Sequence, residues 1–173
     1  MARSRQPAFD AALWFLWIMA TTLGWLLGSL LFTNLALVPA GVGVAAMQSF
    51  VLHHRIPRAW RWFLATSTVW LVVSTLLLAM VPAPLQGLVG GVILGPTLGL
   101  AQWLLLRHEV LWAGWWIVVS TMAWITGLAL LPGILSTGAL AGAITGVALT
   151  LLLHYPKPAS TPHRRPAQTG KHA

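Results

Sequence analysis

Six apolar runs, at about 11–32, 35–52, 59–81, 85–106, 112–131 and 134–154, take up most of this 173-residue chain. The polar positions fall between them. No run contains Lys, Arg, Asp or Glu except the third, where Arg61 lies in the first turn. A hydrocarbon core of roughly 30 Å is crossed by about 20 helical residues, so the runs predict six transmembrane helices, the second of them short. The breaks carry turn formers: Thr33-Asn34, Pro57, Pro82 to Pro84, and Pro132-Gly133. Pro39 and Pro96 fall within runs and predict kinks. Arg3 and Arg5 precede the first run and "VPA" ends at Ala40, which resembles a leader sequence. The run is nevertheless longer than the 7–15 apolar residues usual in a leader, so an uncleaved helix is expected.

The runs repeat. Shifting the chain by 54 aligns Gly41 with Gly95, Gln48 with Gln102, Leu52 with Leu106 and His54 with His108. The same shift aligns Ala59 with Ala113, Trp62 with Trp116 and Trp70 with Trp124. A shift of 99 aligns Trp17 with Trp116, Trp25 with Trp124 and Gly28 with Gly127, and sets Thr21-Thr22 against Ser120-Thr121. A shift of 47 aligns Gly91, Gly95 and Gly99 with Gly138, Gly142 and Gly146. Odd helices are thus a tryptophan type and even helices a glycine type. The expected fold is all-α: three parallel pseudo-repeated hairpins, 11–52, 59–106 and 112–154, forming a transmembrane domain over 11–154. Residues 1–10 form a basic amino-terminal tail, and the Pro-rich, basic segment 155–173 reads as disordered. The third hairpin departs from the pattern, with Leu149 where Gln48 and Gln102 predict a glutamine.

Charge fixes an expected orientation. All ten Lys and Arg lie in the two tails and in the loops after the second and fourth runs; the three opposite loops have none. The positive-inside rule puts both termini in the cytoplasm. The formal charge of +8 does not point to nucleic acid, because the cations sit in short segments between apolar runs. The basic tail can touch anionic lipid at that face. Only 7% of residues are charged, against about 25% in soluble domains. Cysteine is absent, so there are no disulfides and no thiol-based metal site.

The recurring residues suggest roles. Gly91, Gly95 and Gly99, and again Gly138, Gly142 and Gly146, recur every four residues, a spacing that lets helix backbones approach closely. Trp14, Trp17, Trp60, Trp62, Trp112, Trp115 and Trp116 open the odd helices and read as an interfacial belt. Trp25, Trp70 and Trp124 lie roughly 12 Å deeper at 1.5 Å per residue; each indole N–H there wants a partner, in packing or against a ligand. Gln48, Gln102, Thr66 and Ser120 are the candidate intramembrane polar sites. Gln48 is expected to bond to a neighbouring helix near Thr66, and Gln102 near Ser120, or each to nearby backbone, as hydrogen-bonding glue or as part of a substrate path. His54, His108 and His154 end helices, where a cation is favourable; they are also the candidate axial ligands for a haem or pigment. No histidine has a partner four residues on, so no helical metal pair is predicted. The two carboxylates, Asp10 and Glu109, lie outside the helical interiors. No catalytic motif is visible.

The stretch "GLAQWLLLRHEVLWAGWWIVVSTMAWITG" resembles a recurring segment of uncharacterised small multi-pass membrane proteins of bacteria. It has Gln102-Trp103 before Leu106-Arg107, then Trp115-Trp116 and a helix ending at Gly127. The likeness covers 40–154 and is strongest at 95–127; in the first hairpin Ser49 replaces the tryptophan. It implies a membrane location and no activity; the inner membrane is the expected location. The expected function is a non-enzymatic scaffold or accessory subunit with a membrane-protein partner. A small transporter or channel, or a pigment- or haem-binding subunit, are the alternatives.

Overall fold

The computed structural model describes residues 9–31 and 37–157. These residues form six α-helices: α1 Ala11–Leu31, α2 Leu37–Leu52, α3 Trp60–Met80, α4 Ala83–Leu106, α5 Trp115–Ile125 and α6 Ser136–Leu153. Four helices are long and apolar enough to cross a membrane: Ala11–Leu30, Trp60–Met80, Ala83–Leu106 and Ser136–Leu153. Leu37–Leu52 and Trp115–Leu130 are shorter apolar helices. The fifth run, expected as one helix, changes winding near its end: α5 continues as a π-helical stretch over Thr126–Leu130. Pro39 sits in the first turn of α2, where its missing N–H has no partner to lose. Pro96 lies inside α4, which is assigned as one helix over its 24 residues.

Each helix packs on its neighbours in chain order, and α6 packs back on α1, so the six make a closed ring. Small residues set the spacing. A Cβ on Gly24 would come 2.6 Å from the Gly43 backbone, which brings α1 and α2 backbone to backbone. Gly91, Gly95 and Gly99 of α4 lie on Ile125, Thr121 and Ile117, where a Cβ would stand 2.9, 2.6 and 2.8 Å from the α-carbons. Gly138 and Gly142 of α6 meet the Thr22 and Ile18 α-carbons of α1 in the same way, and Gly146 faces the Trp14 and Trp17 rings. Gly41 of α2 receives the Trp70 indole of α3. The glycine rows of α4 and α6, and Gly41 of α2, therefore face the odd helix that follows around the ring, while Gly43 of α2 faces α1 before it.

The described cations Arg55, Arg58, Arg61, Arg107 and Lys157 flank the ends of α2, α4 and α6 and the start of α3, all at one end of the ring. The chain is held together there. Asp10 accepts from the Leu13 N–H at 2.9 Å and pairs with Arg55 at 2.9 Å. Tyr155 and Lys157 bond through the backbone to Leu111 and Glu109, at 3.0 and 2.9 Å. The first residues of the segment expected to be an unstructured tail are thus attached to the α4–α5 loop; 158–173 lie outside the described residues. Arg58 has φ 62°, left-handed backbone that a non-glycine residue seldom adopts.

Candidate functional site

The interior of the ring is built from the odd helices. Trp17 of α1, Trp62 of α3 and Trp116 of α5 meet in a triangle, with ring centroids 5.8, 6.3 and 5.6 Å apart and edge-to-face contacts throughout. Eight residues along each helix, Trp25, Trp70 and Trp124 make a second triangle at 6.1, 6.3 and 5.0 Å. All six indoles are buried. Edge-to-face pairing sets the positive ring edge on a negative face, worth about 0.5–1.5 kcal/mol per pair beyond area burial. The first triangle corrects the expectation of an interfacial belt. Trp17, Trp62 and Trp116 are at most 2% exposed, whereas Trp60, Trp112 and Trp115 are 59–62% exposed.

A polar layer accompanies the first triangle. The Trp62 indole N–H donates to Gln48 Oε1 at 3.1 Å, and Gln48 Nε2 donates to Thr21 Oγ1 at 3.0 Å. The arrangement recurs two helices on: Trp116 donates to Gln102 Oε1 at 2.8 Å, and Gln102 Nε2 to Thr66 Oγ1 at 3.0 Å. An indole nitrogen can only donate, so it fixes which end of each amide faces it. The Thr21 hydroxyl donates to the Trp17 carbonyl at 2.9 Å. Trp17 in turn donates to Thr145 Oγ1 of α6 at 2.9 Å, and Thr145 donates to the Ala141 carbonyl. These side-chain bonds link α5 to α4, α4 to α3, α3 to α2, α2 to α1 and α1 to α6.

The sequence expectation paired Gln48 with Thr66 and Gln102 with Ser120. Instead each glutamine reaches back to the threonine of the preceding helix and forward to the tryptophan of the next. Ser120 donates to the Gly95 carbonyl at 3.1 Å. Sequence reasoning missed Thr21 and Thr145. The signal for Thr21 is that Thr21, Thr66 and Ser120 each follow a buried tryptophan by four residues and precede another by four, which puts all three on one helix face. Thr145 occupies the place of Val44 and Leu98 in the other even helices, one turn before fully buried Leu149. Helix α6 thus offers an acceptor to the buried Trp17 of α1, but one turn away from the position that Gln48 and Gln102 occupy in α2 and α4.

In the deeper triangle, Trp70 Nε1 has no hydrogen-bond partner, nor has the hydroxyl of Ser74 one turn on. The expected partner for that indole is not found. The glycines named from sequence all lie at the helix contacts described above. His54 and His108 are exposed. His54 rests edge-on against His53, and His108 accepts from Arg107 Nε at 3.2 Å. His154 bonds through Nδ1 to the Thr150 carbonyl. Among the described residues no group of three His, Asp or Glu could hold a metal. Asp10 is held below the usual carboxylate range by the Leu13 N–H, and, against the opposing effect of desolvation, by the Arg55 guanidinium.

Among the described residues, cavities lie at both ends of this core. The larger, of about 600 Å³, lies at the basic end between the start of α3 and the end of α4; Arg58, Arg61, Trp62, Leu104, His108 and Glu109 are among its walls. The smaller, of about 290 Å³, lies at the opposite end against Trp25, Ser29, Leu128 and Thr137. Comparison with protein-family models, with curated proteins and with solved structures finds no match to this chain.

Proposed function

We propose that this chain is a multi-pass protein of a bacterial inner membrane, crossing it as three parallel pseudo-repeated hairpins with both termini in the cytoplasm, and that it serves as a non-enzymatic scaffold or accessory subunit for another membrane protein. The membrane reading is supported by the outside of the ring. Phe15, Leu27, Phe50, Leu71, Met80, Val118 and Met122 are all more than half exposed, a continuous apolar exterior that water would not tolerate. The repeat is supported by the residues that the sequence shifts align, because they meet at the same two levels of the interior.

One observation carries the scaffold reading: the axis of the ring is filled. Six indoles close it at two levels. Gln48, Gln102, Thr66 and Ser120 have their polar atoms engaged in helix-to-helix bonds. A polar path for a substrate needs uncommitted groups and room, and this layer offers little of either. Buried amides used this way are worth about 0.5–2 kcal/mol each and favour one arrangement of helices. The test is to extract the tagged protein in mild detergent and identify what stays bound by mass spectrometry. A stoichiometric membrane-protein partner is expected. A solitary protein, free of partners under the gentlest extraction, sinks the accessory role.

A further inference from the structure

The helix pairs α1/α2, α3/α4 and α5/α6 all have their open ends at the basic end of the ring, and the three ends are not alike. The α1/α2 end is closed by the Asp10–Arg55 ion pair at 2.9 Å. The α5/α6 end is closed by backbone bonds from Leu111 to Tyr155 and from Lys157 to Glu109. The α3/α4 end is left open as the cavity of about 600 Å³, a volume typical of small-molecule sites. We propose that this cavity binds the headgroup of an anionic phospholipid, with its phosphate between Arg58 and Arg61.

The walls fit that chemistry. Arg58, Arg61 and His108 in the lining supply donors, and Ile56, Leu104 and Leu105 supply apolar contact. Guanidinium groups hold phosphate oxygens in pairs through their planar fork. Glu109 is the carboxylate in the lining; set against two guanidiniums it leaves one net positive charge. That matches a singly charged phosphodiester such as phosphatidylglycerol and gives no gain to a zwitterionic headgroup. Leu104 is 46% exposed and Leu100, one turn back on α4, is 50% exposed, so an acyl chain can leave the cavity along α4. Arg58 carries a second indication. It adopts φ 62°, where glycine is at ease and an arginine is strained, so a long cationic side chain is kept at a position whose backbone favours none.

The assignment rests on the membrane reading above, and the experiment separates the two. The full chain in neutral detergent is melted with added phosphatidylglycerol, phosphatidylcholine or inorganic phosphate. Phosphatidylglycerol is expected to raise the midpoint and the other two to leave it unchanged. Arg58→Gly should abolish that shift while leaving the detergent-only midpoint the same or higher, because the backbone strain is relieved. Arg61→Ala should also abolish it, and Arg107→Ala, outside the cavity, should keep it. Equal shifts with both lipids, the same protection from inorganic phosphate, or a full response in Arg58→Gly and Arg61→Ala would each overturn the site. Flotation with phosphatidylcholine vesicles reads the membrane assignment by itself: a chain that incorporates but ignores phosphatidylglycerol loses only the site, and one that fails to incorporate loses both.

Discussion

Gln102 accepts a hydrogen bond from Trp116 and donates one to Thr66 in a layer sealed by indoles, so its removal strands two buried groups at once. Gln102→Leu should lower stability by roughly 1–3 kcal/mol, the usual penalty for leaving a buried polar group unmade, as measured by reversible unfolding in detergent. Trp116→Phe removes the donor and leaves much of the ring. In the double variant Gln102→Leu/Trp116→Phe the losses should fall short of the sum by about 0.5–1.5 kcal/mol, since both changes delete the same bond. Strict additivity would mean that the bond contributes nothing. Leu149 shows that the chain itself tolerates an apolar residue at the matching place, but only where Thr145 has taken over the indole. At the basic end, Asp10 titrates below its ordinary value because the folded chain binds its charged form through Leu13 and Arg55. A carboxylate with a depressed folded pKa contributes stability that is complete above its unfolded value of about 4 and is lost as pH falls through the folded value. Asp10→Asn should therefore flatten the acid limb of a melting-temperature profile taken from neutral pH downward, with its largest deficit relative to wild type above about pH 4.

Helix contacts decide the next level, and here two glycines make opposite predictions. A Cβ on Gly95 would lie 2.6 Å from the Thr121 α-carbon, backbone against backbone, so neither side can yield without separating α4 from α5. Gly95→Ala should cost about 1–3 kcal/mol through overpacking, despite the roughly 1 kcal/mol that alanine gains over glycine in a helix interior. Gly114, with nothing within 4 Å of its Cβ position and φ −59°, should accept alanine with no loss; the pair of unfolding curves distinguishes local crowding from helix propensity. The element boundaries were largely legible, because uncharged runs of helix length leave few other conformations, and the expected runs overlap every helix. The π-helical end at Thr126–Leu130 was not. It is associated with a tertiary contact, in which Thr137 of α6 donates to the Gly127 carbonyl at 2.8 Å, and composition does not carry that information. The shared spacing of the tryptophans was visible, but their direction was not: position along a helix gives depth, and only the face on which Thr21, Thr66 and Ser120 align with them shows that Trp17, Trp62 and Trp116 turn inward.

At the scale of the whole molecule, the sequence shifts suggested three equivalent hairpins but not what lies between them. Closure of α6 onto α1 depends on Gly138 and Gly142 meeting Thr22 and Ile18, contacts between opposite ends of the chain that local pattern cannot announce. Nor does it say that indoles pack across the axis at two levels, which is the point that divides a scaffold from a conduit. The indoles at the two levels are buried and centred 5.0–6.3 Å from one another, within the range for packed aromatic pairs. A hydrated ion has no way through such a stack unless several indoles move together. Proteoliposomes carrying the wild-type chain should therefore pass ions and small polar solutes no faster than empty vesicles, in a flux assay run at equal lipid composition. Gln48→Leu and Gln102→Leu should leave that baseline unchanged while lowering the melting midpoint, because each amide braces helices and lines no path. Flux in the wild type that disappears in both variants, at temperatures where both remain folded, would instead make the amide layer a conducting element and turn the scaffold into a transporter.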